Sequence, residues 1–319
     1  MRGWQFTKTF EPIVLIEKED PKAIPGHVVI DIKAAGLCHS DVAAMNDPGW
    51  MPLFPNGPVL FGHEFAGEVI EVGEGVTNVK VGDRVGVNPL DRATGQAAGY
   101  HYDGGYAEKV RVPAHQCVII PEGVSYVEGA AATDAGLTSY RALFTIGEAK
   151  EGTKLGIVGV GGLGQFAVMM ANIKGCEVYG VDTSAEAREL AKEIGCKEVF
   201  ENVKDMAHIG CDVIVDFAGY GDTTTDSLAA VAPRGTVVVV GMGILETKVN
   251  TYDLITKEQR LLGSNGGTVE DLQGVYDCFA TGKMKPLLET IPFEKIDEGL
   301  ERLKRHEVKG RLVAVFDED

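Results

Sequence analysis

The run Lys154-Leu155-Gly156-Ile157-Val158-Gly159-Val160-Gly161-Gly162-Leu163-Gly164-Gln165-Phe166-Ala167-Val168 narrows the folds open to this chain more than any other stretch. It reads as an apolar strand, a glycine-rich turn and the start of a helix, in that order. Gly159 permits a tight turn, Gly161 lets a diphosphate approach the backbone, and Gly164 lets helix pack on strand. Gly162 and Leu163, lying between them, join these glycines as candidate cofactor-binding positions. The next strand, Glu177-Val178-Tyr179-Gly180-Val181, ends on Asp182, eighteen residues after Gly164. A carboxylate there accepts hydrogen bonds from the adenosine ribose hydroxyls and repels the extra phosphate of NADP, so NAD is the expected cofactor. The plainer alternative is a solvent-facing aspartate at a strand end. Apolar strands over 212–216 and 236–241, the second ending on the candidate cofactor contact Gly241, suit a parallel sheet buried on both faces. Helical periodicity over 268–281 is expected to close this doubly wound domain.

At 319 residues the chain exceeds the size at which one core usually keeps growing, so two domains are expected. A hydrophobic share of 45% with 24% charged residues, and no long uninterrupted apolar run, argues for a soluble protein without a membrane span. Met1-Arg2-Gly3-Trp4-Gln5 lacks the apolar core and cleavage site of a signal peptide, and a cytoplasmic location is the expectation. A formal charge of -17 disfavours binding to a phosphate backbone. The cysteines, Cys38, Cys117, Cys176, Cys196, Cys211 and Cys278, never form a Cys-x-x-Cys pair, so neither a disulfide framework nor a four-thiolate zinc knuckle is signalled. Short β-branched segments bounded by glycine, proline or aspartate read as antiparallel sheet over about the first 130 residues.

Within that β-rich half stands Gly62-His63-Glu64-Phe65-Ala66-Gly67, followed by Gly73 and Val76. A histidine beside a glutamate on a tightly packed segment can aim an imidazole at a cation with a carboxylate close behind. An isolated pair of this kind is more often a satisfied, partly buried histidine. Upstream lies Gly36-Leu37-Cys38-His39-Ser40-Asp41, where Cys38 by itself reads as a buried inert thiol. Downstream, the segment from Ala130 to Tyr140 starts a connecting helix in which Asp134 is either an N-cap or a carboxylate ligand. The complete Gly-His-Glu-x-x-Gly-x5-Gly-x-x-Val run looks like the zinc signature of the medium-chain zinc-dependent alcohol dehydrogenases. The Cys38 loop resembles that family's first ligand loop.

The resemblance covers essentially the whole chain and implies an α/β fold of two domains. A GroES-like β-rich catalytic domain spans 1–135 and is completed by 286–319; a Rossmann domain with a doubly wound parallel sheet spans 136–285. Cys38, His63 and Asp134 become the expected ligands of one catalytic zinc, with a fourth position open. Glu64 stands as a carboxylate behind them or as an exchangeable ligand. Ser40 is implied as the hydroxyl that passes the alcohol proton, and Asp41 as acceptor of the free N–H of His63. His39 and Arg311 would meet the cofactor diphosphate, and Thr138 the nicotinamide. Without the resemblance Arg311 would be an ordinary surface charge.

Two departures stand out. The family often places a proton-relay histidine two residues after the aspartate, where this chain has Ala43. It also commonly inserts a four-cysteine lobe for a structural zinc after the strand ending at Val87, whereas the stretch from Asn88 to Gly105 contains no cysteine. One zinc per subunit at most is expected. The implied reaction is hydride transfer between an alcohol and NAD, with zinc as Lewis acid and the substrate held between the domains. Asp134 tilts the substrate toward secondary alcohols and ketones. A zinc-free quinone or enoyl reductase, a polyol dehydrogenase and a non-catalytic binding protein are the competing readings. Trp50, Met51, Leu53 and Phe54 supply either apolar pocket walls or a satellite core. Family likeness implies a homodimer or homotetramer.

Overall fold

The computed structural model describes residues 1–316. The chain divides into two compact units, the first comprising Met1–Asp134, Thr268–Ala280 and the chain from Leu287 on, the second Ala135–Gly267 and Thr281–Pro286.

The first unit is built on a mainly antiparallel sheet with strands in the order Cys117–Ile119, Arg84–Val87, Glu64–Val72, His27–Leu37, Arg311–Val315 and Leu288–Pro292, with Lys109–Pro113 also pairing to His27–Leu37. Register shifts after Val29 and after Ile32 kink the long strand His27–Leu37 and increase its twist, as bulges do. Its end is what places the site. Gly36 pairs with Glu64 on one side and with Val313 on the other, so the last residues of this strand lie against the first residues of both neighbours. An aromatic core holds the adjoining loops, with Phe6 stacked on Phe61 at 4.8 Å and tilted against Phe54 at 4.7 Å. Phe54 is buried in that core, Trp50 and Met51 pack on it, and Leu53 is exposed, which favours the satellite-core reading of this segment.

The helix Val269–Ala280, expected to close the cofactor domain, falls in the first unit instead. Its buried face decides this. The Tyr276 hydroxyl donates to Gly129 O at 3.0 Å, and Gly86 has no room for a Cβ beside that hydroxyl. Local periodicity reports that such a helix has an apolar face but carries no information about which sheet the face meets.

The second unit is a six-stranded parallel sheet in the order Glu198–Phe200, Glu177–Val181, Lys154–Val158, Val213–Asp216, Thr236–Val239, Arg260–Gly263. Numbered along the chain, this is the 3-2-1-4-5-6 order of the Rossmann fold, with the strand order reversing beside Lys154–Val158. Successive residues on these strands enter opposite cores: Ile157, Val215 and Val238 one, Val158, Ile214 and Val237 the other. Each full burial of such a side chain contributes about 1.5–3 kcal/mol, which is why both faces read as continuously apolar.

Candidate active site

At the end of strand His27–Leu37, Cys38 adopts the extended N-cap conformation of helix His39–Asn46. Asp41, in the third helical position, reaches back to accept from Cys38 N at 3.2 Å and is wholly buried. Its other oxygen lies 3.2 Å from His63 Nδ1, at ion-pair range though off the line of a straight hydrogen bond. Tyr106 completes the aspartate's shell, its hydroxyl donating to Asp41 Oδ2 at 2.5 Å with Gly36 O 3.1 Å away. The ring occupies the space that a Cβ on Gly62 would need, and Gly62 has φ +85°, a conformation suited to glycine. The residue before His63 is therefore required to be small by the tyrosine that anchors the aspartate behind it.

With Nδ1 facing Asp41, Nε2 lies toward Asp134 Oδ2, 3.5 Å away, with Ser40 Oγ also at 3.5 Å. Asp134 sits in a π-helical turn, Ala132–Gly136, inserted in a helical stretch that begins at Tyr126. The N-cap of that stretch is Ser125, which forms a capping box with Glu128, so capping does not account for Asp134. π-Turns are rare and occur often at functional positions. Here Thr133 stabilises the turn, its hydroxyl donating to Ala130 O at 2.7 Å and accepting from Phe65 N at 3.1 Å.

Glu64 is buried behind this cluster, opposite Gly36, whose missing side chain makes the space: a Cβ there would fall 2.1 Å from Glu64 Cδ. Arg311, also buried, donates from Nε to Glu64 Oε1 at 3.2 Å, from Nη2 to Glu64 Oε2, and from Nη2 to Asp134 Oδ2 at 2.7 Å. Burial pushes the Glu64 carboxyl up to about 8, against the pull of Arg311 and with the help of the Asp134 charge. Burial would lower the Arg311 pKa, yet Glu64, Cys38 and Asp134 raise it well above its usual value. Burial would raise the Asp134 carboxyl, but His63 and Arg311 hold it well below the usual carboxylate range. His63, also disfavoured as a cation by burial, is held well above its ordinary value by Tyr100, Asp41 and Asp134.

Three ligand atoms, from Cys38, His63 and Asp134, lie within 4.8 Å of one another, and Cys38 is a free thiol. A tetrahedral zinc with bonds of about 2.0–2.3 Å spaces its ligands by about 3.5 Å, so small rotamer adjustments suffice. Soft thiolate, imidazole and carboxylate suit that ion, and the Asp41 contact to the far imidazole nitrogen is the usual support of a ligating histidine. The residues present fit zinc. Glu64 remains outside the three, its carboxylate engaged by the arginine.

Other expected positions distribute as follows. His39 starts the helix and stacks on His306, ring centroids 5.9 Å apart, rather than joining the cluster. Thr138, Gly159, Gly161, Gly162, Leu163, Gly164, Asp182 and Gly241 belong to the second unit. There Gly159 has φ +86°, Gly161 faces open space, and a Cβ on Gly164 would meet Gly159 O at 2.0 Å. These match turn, ligand approach and helix–strand contact in turn. Asp182 accepts from Val160 N at 2.8 Å and from Ser184 N at 2.9 Å, which fixes its carboxylate beside the glycine turn with lone pairs to spare. Gly241 packs on the turn after Asp216, too close for a Cβ, and Thr138 is buried. Sequence reasoning missed Tyr106, Thr133 and the need for glycine at 36. Only the tyrosine left a local trace, in Asp103-Gly104-Gly105-Tyr106.

Fold and cluster together define a zinc-type dehydrogenase with a separate dinucleotide-binding domain. Residues 24–122 match the alcohol dehydrogenase GroES-like domain, and residues 162–281 match the zinc-binding dehydrogenase family. An alcohol dehydrogenase of Geobacillus stearothermophilus is 37% identical over 98% of each chain. Among solved structures, the alcohol dehydrogenase of the hyperthermophilic archaeon Aeropyrum pernix superposes with a TM-score of 0.90 at 28% identity, covering 99% of this chain and 100% of its own. Acetophenone reductase from Geotrichum candidum, solved with NAD, gives 0.88 at 29% identity over 98% and 96%. The chain belongs to the zinc-dependent alcohol dehydrogenases of the medium-chain dehydrogenase/reductase superfamily. It interconverts alcohols and their carbonyl compounds with NAD. No helix among the described residues is long and apolar enough to cross a membrane.

Proposed function

We propose that this dehydrogenase holds one catalytic zinc through Cys38, His63 and Asp134, carries no second zinc, and acts preferentially on secondary alcohols and ketones. The convergence of those three ligand atoms within 4.8 Å carries the reading. When bound, zinc supplies Lewis acidity that lowers the pKa of an alcohol or polarises a carbonyl, and NAD supplies the hydride acceptor.

The chain's own residues do the rest. Tyr106 holds the Asp41 carboxylate, which lies at ion-pair range of His63 Nδ1 and leaves Nε2 toward the site. Ser40 offers a hydroxyl to the alcohol proton. Arg311 donates to both Glu64 and Asp134 and offsets the Asp134 charge beside the thiol. In the second unit, Gly159 to Gly164 present backbone N–H groups to a diphosphate at the start of helix Gly164–Ile173. Asp182 offers its carboxylate to the adenosine ribose. The preference for ketones draws on the carboxylate at 134 and on the likeness to acetophenone reductase. A homodimer or homotetramer, suggested by family likeness, is checked by light scattering.

Zinc content per chain, measured with NADH formation on primary, secondary and polyol substrates, tests the reading. One zinc and a kcat/KM favouring secondary alcohols are expected. Two zincs per chain refute the single-site assignment, and undiminished turnover after complete zinc removal would move the protein to the metal-free reductases. Ser40→Ala is expected to lower kcat by about 100-fold or more with zinc retained; full activity removes Ser40 from proton transfer.

A further inference from the structure

We propose that Asp216 is a positioning residue for the cofactor, its buried carboxyl holding the turn at 217–219 on which the backbone of both Gly159 and Gly241 rests. This deepens the NAD reading just given and rests on its placement of the diphosphate along Gly159 to Gly164.

Asp216 is the last residue of strand Val213–Asp216 and pairs in register with Val158, the last residue of Lys154–Val158. The strand order reverses between these two strands, and a dinucleotide lies across such a reversal. Asp216 is fully buried, so it lies beneath that crevice and does not itself meet the cofactor. A carboxyl placed so deeply requires bonded oxygens, and here the two oxygens have different tasks. Oδ1 accepts from Ala218 N at 3.0 Å and from Gly219 N at 2.9 Å, which curls the chain back as it leaves the strand. Oδ2 accepts from the hydroxyls of Thr223 at 2.7 Å and Thr224 at 2.8 Å, in the first turn of helix Thr223–Ala230. One oxygen serves a turn, the other a helix start.

What rests on the turn gives it a role beyond folding. A Cβ on Gly159 would fall 3.2 Å from Ala218 N, so the first glycine of the diphosphate turn packs on it. Gly241 meets it as well: a Cβ there would fall 2.4 Å from Ala218 C, and one on Gly219 would fall 2.1 Å from Gly241 O. Gly241 N also donates to Asp216 O at 3.0 Å, beside Val240 N at 2.9 Å. The two residues whose N–H groups Asp216 collects therefore support two cofactor positions that follow different strands. Weakening Oδ1 as an acceptor lets the turn shift, and Gly159 and Gly241 shift with it. Asp182, at the adenosine end, is held from outside this turn by Val160 N and Ser184 N.

The test compares Asp216→Asn with Thr224→Val in the full-length chain. NADH affinity is read by fluorescence titration, the adenosine end by adenosine as a competitive inhibitor, and stability by Tm, with zinc content measured for each protein. Asparagine keeps the size of the side chain but offers a neutral oxygen, a weaker acceptor. Asp216→Ala is set aside because it orphans two buried backbone N–H groups and endangers folding. Asp216→Asn is expected to weaken NADH binding about 3- to 10-fold, the range of one hydrogen bond, while the inhibition constant of adenosine changes by less than about 2-fold. Thr224→Val removes one donor to Oδ2 and should lower Tm while NADH affinity stays within about 2-fold of wild type. Unaltered NADH affinity in Asp216→Asn, equal weakening of NADH and adenosine, or a loss of NADH affinity in Thr224→Val as large as that in Asp216→Asn would each overturn the proposal. If Gly164→Ala leaves NADH binding intact, the placement of the diphosphate is refuted instead; sensitivity to Gly164→Ala with none to Asp216→Asn refutes only the positioning role.

Discussion

Tyr106→Phe isolates the support of the proposed metal cluster from the cluster itself. The ring stays, still edge-on to Phe61 with centroids 6.0 Å apart and still filling the space beside Gly62. Only the hydroxyl that donates to Asp41 Oδ2 at 2.5 Å is removed. Asp41 is fully buried, so no water replaces that donor, and Cys38 N at 3.2 Å becomes the remaining hydrogen bond to the same oxygen. A hydrogen bond to a charged group in such surroundings contributes about 1.5–3 kcal/mol. For a unit of this size that corresponds to a fall in Tm of roughly 3–12 °C. Because Asp41 is what orients the His63 ring, zinc affinity measured by chelator competition should weaken about 10- to 100-fold. The two readouts carry separate information: stability reports the buried carboxylate, and affinity reports the imidazole it aims. Unchanged melting together with unchanged zinc affinity would refute the chain of support from Tyr106 through Asp41 to His63.

Three further outcomes are expected. Asp182→Gly should reduce the preference for NAD over NADP by about 10- to 100-fold, the worth of charged hydrogen bonds to the ribose, and an unchanged ratio of kcat/KM values would count against that role. Gly164→Ala places a Cβ 2.0 Å from Gly159 O, which is backbone and cannot swing aside, so stability should fall by about 1–3 kcal/mol and NADH should bind more weakly in a fluorescence titration. Asp20 is held down to about 2 by the Lys109 ammonium and the terminal amino group, below its unfolded value of 3.8. Its stabilising contribution is therefore present above about pH 4 and lost as pH falls toward 2. Asp20→Asn should flatten the dependence of Tm on pH across that window, and an identical slope would show the pair to be inert.

The parts of this protein that were legible in sequence are those whose physical requirement is local. Gly159, Gly161 and Gly164 lie within six residues and serve one turn, so their spacing alone conveys the backbone geometry each position has. Cys38 and His63 were legible through motif, each flanked by residues that orient it. Thr133 was not, because its task depends on a π-helical turn that nothing in Ala131-Ala132-Thr133-Asp134 announces. Tyr106 reads as an ordinary strand residue. Its oxygen becomes important only when the segment from Gly99 to Gly105 docks on Gly62, a contact spanning some forty positions of chain. Helix Val269–Ala280 packs in the first unit, and its sequence could not announce this, since its periodicity shows a face but not a partner.

Register explains why so few residues can build this site. Strand Glu64–Val72 runs antiparallel to His27–Leu37, and so does Arg311–Val315 on the other side. The end of the central strand therefore meets the beginnings of both neighbours at one edge, where Cys38, Glu64 and Arg311 come together without any loop having to carry them. Side chains alternate across a sheet, so a slip of one residue in either pairing would turn Glu64 or Arg311 to the opposite face. Gly36 stands at the crossing, paired to both strands, and its absent side chain is the volume that the Glu64 carboxyl occupies. A larger residue at 36 would displace Glu64, leave Arg311 with a single carboxylate partner, and so disturb Asp134, although residue 36 itself touches no ligand. Gly36, two residues before Cys38, thus acts on the proposed metal position through the packing of Glu64.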